Sequence, residues 1–225
     1  MSSEKLAALD ARMAGRLVVS CQPIDDGPLD NADIVRRFAM AAVLGGAGAV
    51  RIEGAARVAA VRGAITVPII GIVKRDLPDS PVRITPFLRD VDDLLAVCAD
   101  IVAVDATGRA RPETLASLLG AIHAGGAMAM ADCSSEEDAA AAHALGFDII
   151  GTTLSGYTGG AVPQEPDYAL ITRVAAFAPR VMAEGRIHTP QQVRLAREAG
   201  AWAVTVGTAI TRTELVTQWF AEAMV

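Results

Sequence analysis

Two ionisable residues each follow a short, strongly apolar run, and together they could move protons. Lys74 ends the run VPIIGIV at 67–73, and Glu184 ends the run Val181–Ala183. Low-dielectric surroundings disfavour a charged ammonium, so a lysine in such a place can act as a base. If Lys74 and Glu184 face one carbon from opposite sides, one removes a proton and the other returns it to the opposite face. The pair therefore predicts inversion of a carbon centre by acid–base chemistry.

Both residues also have alternative interpretations. Lys74 could form a salt bridge with Asp76, or lie along the surface with its ammonium in water. It could also form an imine with a carbonyl substrate, as desolvated lysines do. Glu184 could simply pair with Arg186 or Arg212. The residues alone leave these alternatives open.

Two glycine-containing turns indicate an anion site. Gly185 and Gly207 each follow a short apolar run, and Thr208 continues the second turn. Backbone N–H groups in such turns, or at the start of a helix, can receive a phosphate. Arg186 and Arg212 add positive charge beside them. We predict a phosphate site from these five residues, and the alternative is that the glycines serve only the turns.

Four further polar residues end apolar runs, namely Gln22, Arg51, Asp105 and Asp132. Arg51 and Gln22 are candidates to bind substrate oxygens where negative charge develops. Asp132 is a candidate to orient or tune Lys74. Asp105 either binds substrate or caps the following helix. For each of the four, a purely structural hydrogen-bond network is the alternative.

A repeating pattern of apolar runs positions these residues. Each run is bounded by turn residues and followed by an alanine-rich segment of helical periodicity, which is typical of βαβ units with a parallel sheet. The eight candidate strands are Leu17–Ser20, Ala49–Ile52, Pro68–Val73, Ile101–Val104, Ala127–Ala131, Asp148–Gly151, Val181–Ala183 and Ala203–Val206. Their starts lie about 20 to 35 residues apart, as a closed (β/α)8 barrel requires. We predict one α/β barrel domain over 1–225, with a short amphipathic helix at 1–13.

A barrel would bring the candidate residues to one mouth, because active sites of such barrels lie at the C-terminal ends of the strands. The structural alternative is a doubly wound open sheet. That fold usually has a glycine-rich turn after its first strand, whereas Cys21-Gln22-Pro23 stand here. Helix signals agree with the alternation: Asp30 is a candidate cap for a helix at 34–44, and Pro112 for the start of one at 113–123.

Composition restricts the class of partner. The net charge is -6 and no long Lys/Arg cluster occurs, which argues against nucleic acid and anionic membranes. No apolar run reaches the roughly 18 residues of a transmembrane helix. Residues 1–13 lack the apolar core of a signal peptide, so we expect a cytoplasmic protein with a small-molecule partner. The three cysteines and three histidines show no metal-type spacing, so we expect neither a disulfide framework, a metal nor a cofactor.

Several segments together resemble the N-acetylmannosamine-6-phosphate 2-epimerase family, from about Leu17 to the C-terminus. They are VSCQP at 19–23, VPIIGIVKRDLPDSPVRITP at 67–86, MADCS at 130–134, GTTLSGYT at 151–158, AEGRIHTP at 183–190 and AWAVTVGTAITR at 201–212. Single pieces, such as the glycine after the eighth strand, occur in many phosphate-binding barrels. The combination is specific. His188, where Asn is common in the family, and the loop at 159–164 depart from the family pattern.

The resemblance implies a TIM barrel that interconverts N-acetylmannosamine 6-phosphate and N-acetylglucosamine 6-phosphate in sialic acid breakdown, without a cofactor. It implies that Lys74 and Glu184 exchange the C2 proton of the ring-opened sugar, whose C1 aldehyde acidifies that position. Asp132 falls on a catalytic position of the family. Gln22 and Arg51 also fall on active-site positions of the family, and the glycine loops at Gly185 and Gly207 with Arg212 fall on its phosphate site. We further expect Asp105, Thr153 and Tyr157 to bind substrate, and Arg186 and Thr208 to bind the phosphate. Barrels of this family also suggest a homodimer.

Overall fold

Strands and helices alternate along the whole described part of the chain. The computed structural model describes residues 3–224. The strands are β1 (Leu17–Cys21), β2 (Ala49–Glu53), β3 (Ile69–Ile72), β4 (Ile101–Asp105), β5 (Met128–Asp132), β6 (Ile149–Gly151), β7 (Val181–Ala183) and β8 (Ala203–Val206). The helices are α1 (Ser3–Met13), α2 (Ala32–Leu44), α3 (Ala55–Arg62), α4 (Leu88–Ala96), α5 (Leu115–Ala124), α6 (Glu136–Leu145), α7 (Tyr168–Ala175), α8 (Pro190–Glu198), α9 (Thr208–Thr211) and α10 (Thr213–Glu222).

The eight strands form one closed parallel barrel in sequence order. Closure is made by β1 and β8, where Val18 pairs with Thr205 and Val19 with Val206. The predicted (β/α)8 fold is thereby confirmed, and the open doubly wound sheet is wrong. The bounds of β7 and β8 match the prediction. The bounds of β1, β2, β4 and β6 differ from it by one residue at one end, and those of β3 and β5 by one residue at each end.

The barrel interior is filled by side chains that recur at every second position of the strands. An apolar cluster inside the barrel contains Val18, Ile70, Ile72, Met130 and Met182, among others. Side chains of a strand alternate between its two faces, so the residue two positions further on also points inward. That rule carries polar side chains into the mouth above the cluster: Ser20, Arg51, Lys74, Asp132 and Glu184 each lie two residues after an apolar member of it.

A second, larger apolar cluster lies between the strands and the surrounding helices. It includes Val35 and Ala39 of α2, Leu94 of α4 and Ile122 of α5. The many alanines of the helices let them lie close to the sheet. No helix within residues 3–224 has the length and apolar character needed to cross a membrane.

Helix α1 closes the N-terminal end of the barrel. Its residues Leu9 and Met13 are buried in the inner apolar cluster. Asp10 forms a two-bond ion pair with Arg180, whose Nε and Nη2 donate over 2.8 and 2.6 Å. The turn after the helix is fixed by the N–H of Gly15, which donates to the carbonyl of Trp202. The predicted N-terminal helix is therefore an integral part of the barrel floor.

Two predicted helix starts are wrong. Asn31, not Asp30, caps α2, because its side chain accepts from the first free N–H groups of the helix, whereas Asp30 pairs with Arg57. Helix α5 begins at Leu115 with Thr114 as its cap, two residues later than the predicted start after Pro112. In both cases the capping side chain lies closer to the apolar part of the helix than expected.

Candidate active site

A cavity with two joined lobes opens at the C-terminal ends of the strands. The β8 lobe, of about 460 Å³, and the β4 lobe, of about 330 Å³, share Gln22, Lys74, Arg83, Thr153, Tyr157 and Glu184. The β8 lobe alone is lined by the predicted phosphate-binding residues Gly185, Arg186, Gly207, Thr208 and Arg212. The β4 lobe alone is lined by Arg51 and Asp105. Twelve of the thirteen predicted site residues thus line one mouth, and the other, Asp132, lies buried beneath it.

Lys74 points into this cavity from the loop that follows β3. Within residues 3–224 its ammonium has no carboxylate within ion-pair distance. The predicted alternative partner, Asp76, instead pairs with Arg83 at 2.6 Å. The salt-bridge interpretation of Lys74 is therefore wrong, and the amine faces the space where a ligand would lie.

The surroundings of Lys74 favour its neutral form. Burial among the cavity walls, followed by the charge of Arg51, lowers the pKa of Lys74. Glu53 opposes the effect, Arg83 adds to it and Asp25 opposes it. Lys74 is in contact with the solvent of the open cavity, yet protein atoms enclose it on most sides, which is why burial dominates.

Arg51 is the buried cation at the centre of the site. Its guanidinium donates to both oxygens of Asp132, over 2.6 and 3.2 Å, and lies 3.4 Å from Glu184. Burial disfavours the charged guanidinium, but the two carboxylates outweigh it and raise the pKa of Arg51 above its ordinary value. Arg51 therefore carries a fixed positive charge directly beside Glu184.

Asp132 serves Arg51 rather than contacting Lys74. Besides the two bonds from Arg51, its Oδ1 accepts from the hydroxyl of Thr153 at 2.6 Å. Its side chain is fully buried. Asp132 can therefore influence Lys74 only indirectly among the described residues, because it sets the position of Arg51 and balances its charge.

Glu184 is held by two threonines that directly follow β6. Thr152 Oγ1 donates to the Glu184 carbonyl at 3.0 Å and accepts from the Glu184 backbone N–H at 3.1 Å, and the Thr153 hydroxyl donates to the carboxylate at 3.4 Å. Burial raises the pKa of Glu184, Arg51 opposes it and Asp132 adds to it. The charged form of Glu184 is thus disfavoured on balance.

The two alternative partners of Glu184 are engaged elsewhere. Arg186 donates to the carbonyls of Glu165, over 2.8 Å, and Ser155, and its guanidinium lies 5.4 Å from the ring centre of Tyr157. Arg212 pairs with Glu214. Simple ion pairs of Glu184 with Arg186 or Arg212 are therefore wrong. Arg186 also fixes the loop between β6 and α7 at the rim of the β8 lobe.

Lys74 and Glu184 have opposite shifts that bring their proton affinities closer together. The pKa of Lys74 is lowered and that of Glu184 is raised, and the charge of Lys74 opposes part of the rise at Glu184. Groups whose proton affinities approach each other are better suited to act in turn as acid and base. The geometry therefore permits two-sided proton transfer to a ligand that lies between them.

The β8 lobe has the form of an anion site. Gly207 follows β8 directly and precedes the short helix α9, which begins at Thr208. Gly185 has a φ of 115°, a conformation that glycine adopts without strain, and a Cβ there would come within 4 Å of Thr153 and Tyr157. Backbone N–H groups at such a position, with Arg212 beside them, can receive a phosphate.

Asp105 is occupied by its own loop. Its oxygens accept from the N–H and hydroxyl of Thr107, at 3.0 and 2.6 Å, and from Arg109 at 2.6 Å. It lines the β4 lobe but is almost completely buried. The alternative that Asp105 caps the next helix is wrong, since Thr114 caps α5.

Some cavity residues were not predicted from the sequence. Ser20 and Thr205 line the β8 lobe, and their inward direction follows from the two-residue period of their strands. Arg83 lines both lobes from a hairpin-like excursion after β3, in which Lys74 bridges Ile84. The sequence of that excursion has no helical or strand periodicity, so its position could not be predicted. Among the described residues, no group of three His, Cys, Asp or Glu side chains is arranged to hold a metal ion.

Comparison with known proteins confirms the resemblance. Residues 35–225 match the family described as "Putative N-acetylmannosamine-6-phosphate epimerase". Relatives named "Putative N-acetylmannosamine-6-phosphate 2-epimerase" include one from Haemophilus influenzae, 55% identical over 92% of this chain and 91% of its own length. Another, from Klebsiella pneumoniae, is 56% identical over 97% of this chain and 94% of its own.

A solved structure agrees with these sequence matches. The N-acetylmannosamine-6-phosphate 2-epimerase from Clostridium perfringens superposes with a TM-score of 0.92 at 40% identity, covering 96% of both chains. This chain belongs to the N-acetylmannosamine-6-phosphate epimerase family.

Proposed function

We propose that this chain inverts C2 of N-acetylmannosamine 6-phosphate to give N-acetylglucosamine 6-phosphate, using its own side chains and no cofactor. The observation that carries the proposal is that Lys74 and Glu184 line both lobes of one cavity, each with its charged form disfavoured. Family membership supplies the substrate.

The chemistry requires an acidic C2–H. In the ring-opened sugar the C1 aldehyde lies next to C2, so removal of the C2 proton gives an enolate whose negative charge is shared with the C1 oxygen. Lys74 and Glu184 exchange the proton at C2 on opposite faces. Arg51 and Gln22, which border the same cavity, stabilise the oxygen charge as it develops.

The phosphate end of the substrate belongs in the β8 lobe. Gly207 and Thr208 offer backbone groups there, and Arg212 adds a guanidinium. Holding the phosphate anchors the C6 end of the open-chain sugar, so that C2 can lie between Lys74 and Glu184. Positioning of this kind makes a large contribution to the rate, because the reacting groups meet without a further search.

Solvent isotope exchange tests the proposal directly. The enzyme is incubated with N-acetylmannosamine 6-phosphate in heavy water, and deuterium at C2 and the ratio of epimers are followed by NMR. We expect deuterium at C2 of both sugars, and loss of exchange in Lys74→Ala. A wild-type preparation that gives neither exchange nor epimer contradicts the proposal.

An imine on Lys74 is the second candidate mechanism. The lowered pKa and the lack of an ion-pair partner for Lys74 among the described residues suit a Schiff-base nucleophile as well as a base. Borohydride added during turnover would reduce such an imine to a stable adduct. The chain has only two lysines, Lys5 and Lys74, so peptide mass spectrometry assigns an adduct at once. An unmodified Lys74 after trapping supports proton transfer without an imine.

We also propose a homodimer acting in the cytoplasm in the breakdown of sialic acid. The support for the dimer, the compartment and the pathway is the family membership. Light scattering on the purified protein tests the dimer: a mass of one chain, 23.3 kDa, across a broad concentration range would contradict it.

A further inference from the structure

A network of three charged side chains ends at the backbone of Lys74, on the side facing β2. Asp30 pairs with Arg57, and Arg57 pairs with Glu53, the last residue of β2. All three side chains are largely buried, with exposed fractions of 17%, 20% and 17%. The second oxygen of Glu53, Oε1, accepts from the backbone N–H of Lys74 at 3.4 Å. The network therefore ends on the residue that carries the proposed proton-transfer amine.

The backbone of Lys74 is held on two sides. On one side is the contact with Glu53. On the other, Lys74 bridges Ile84, and the hydroxyl of Thr85 accepts from the N–H of Val73 at 3.2 Å while donating to the Ala103 carbonyl at 2.7 Å. Both contacts fix the point from which the side chain enters the cavity.

The charged groups that face Lys74 come from four parts of the fold. They are Arg51 and Glu53 on β2, Asp25 in the loop after β1, Arg83 in the loop after β3, and Glu184 after β7. Of the carboxylates, Glu184 takes part in the proposed reaction and Asp25 lies exposed at the rim. Glu53 is the remaining carboxylate, and it is largely buried and paired with Arg57.

We propose that Glu53 is a positioning residue that holds Lys74 in place and supplies the negative charge that balances Arg51 beside it. The inference rests on the proposed function, since it assigns a helper to the proposed proton-transfer lysine. Arg57 and Asp30 keep Glu53 in that place, and among the described residues neither forms a hydrogen bond or ion pair with Lys74.

The charge balance supports this assignment. Arg51 lowers the pKa of Lys74, and the charge of Glu53 is the largest of those that raise it. Removing the charge of Glu53 should lower the pKa of Lys74 further. The alkaline limb of the pH–rate profile then moves to lower pH, because that limb reports loss of the proton from Lys74.

The test compares Glu53→Gln with Asp30→Asn. The first substitution keeps an acceptor for the Lys74 N–H but removes the charge. The second removes the charge of Asp30, one of the two partners of Arg57, and leaves the ion pair between Glu53 and Arg57 in place. Competitive acetylation is measured from pH 6 to 11 on folded protein, with Lys5, which lies at the other end of the barrel and donates to the Gly126 carbonyl, as the internal reference.

We expect the midpoint of Lys74 acetylation to fall in Glu53→Gln and to stay at its wild-type pH in Asp30→Asn. In turnover, kcat of Glu53→Gln should fall roughly ten- to hundredfold with little change in KM, because misplacement of a catalytic group affects the reacting step. An unchanged midpoint in Glu53→Gln, or an equal shift in Asp30→Asn, overturns the inference.

A second variant and a substrate-free measurement ensure that the test of Glu53 gives a clear outcome. If Glu53→Gln does not fold, Glu53→Asp carries the test: it keeps the charge and withdraws it by one methylene, so the midpoint should shift in the same direction by less, and no shift overturns the inference. Acetylation needs no substrate. A failed epimerase assay on the wild type therefore contradicts the proposed function, whereas the labelling midpoints still decide the role of Glu53.

Discussion

The two ends of the barrel are built from the same strands but serve opposite purposes. At the N-terminal end, α1 covers the interior and contributes Leu9 and Met13 to an apolar cluster. At the C-terminal end, the next inward positions carry Arg51, Asp132 and Glu184. The closed end removes apolar surface from water, which stabilises the fold. The open end buries charge, which is costly unless each charge is compensated.

This difference separates stability from chemistry along the barrel axis. Asp132 is present to pair with Arg51 and so makes the buried cation tolerable. Glu184 is only partly compensated, and its raised pKa expresses what remains of that cost. Substitutions at the closed end should therefore change the free energy of unfolding, and substitutions among the reactive groups of the open end should change mainly the rate.

The largest expected effect is the loss of activity in Lys74→Ala. Removal of a proton-transfer group typically lowers the rate by roughly 10²–10⁴-fold. The melting temperature should change little, because the ammonium has no ion-pair partner among the described residues. Epimerisation assays and thermal denaturation measure the two quantities. A large fall in melting temperature would show that Lys74 also supports the fold and would weaken the separation.

The converse experiment is Met13→Ala at the closed end. Met13 is fully buried, so truncation should lower the free energy of unfolding by about 2–5 kcal/mol. At temperatures well below melting, kcat should stay near its wild-type value. Met224→Ala is the matched control, because Met224 is 87% exposed. Equal loss of stability in the two variants, or loss of kcat in Met13→Ala while it remains folded, would break the comparison between the ends.

The pH profile of kcat should be narrow on both sides. Turnover needs one proton shared by Lys74 and Glu184. The raised pKa of Glu184 moves the acid limb above the ordinary range of a glutamate, and the lowered pKa of Lys74 moves the alkaline limb below that of a lysine. The two limbs belong to the pair rather than to single residues. Circular dichroism over the same pH range should show an intact fold. An alkaline limb at the ordinary lysine value would argue against Lys74 as a reacting group.

The fold could be predicted from the sequence because its signals are local. Strands such as Val181–Ala183 and Ala203–Val206 are short apolar runs between sharp turn signals, and they are found with unchanged bounds. The gathering of the candidate residues at one mouth follows from the fold alone, since parallel strands of a barrel end on the same side. Their catalytic and binding roles stay predictions.

The pairing within the site could not be predicted in the same way. Arg51 and Asp132 are 81 residues apart, and their contact depends on barrel closure and on side-chain length. The sequence suggested Asp132 as a helper of Lys74, whereas its oxygens accept from Arg51 and Thr153. The excursion after β3 that brings Arg83 to the cavity carries prolines and charges without periodicity, so it gave no signal of its position.

The smallest expected effect is a gain of stability in Glu184→Gln. The pKa of Glu184 is raised by folding, so the wild-type protein loses stability as the pH rises from the ordinary value of a glutamate through the raised value. A neutral side chain of the same shape avoids this loss, and the gain should be about 0.5–2 kcal/mol at neutral pH. Urea denaturation at pH 8 and at low pH measures it, and the difference from wild type should shrink at low pH, where the wild-type carboxyl is protonated.

Glu222→Gln is the control for that gain, because Glu222 lies exposed on α10 and bonds only to Gln218 among the described residues. It should stay within about 0.5 kcal/mol of wild type at both pH values. If Glu184→Gln abolishes exchange and also stabilises the protein, the open end holds a group that is kept for chemistry at the expense of the fold. If Glu184→Gln is destabilised at neutral pH, its pairing with Arg51 outweighs its burial, and the two ends of the barrel differ less than their side chains suggest.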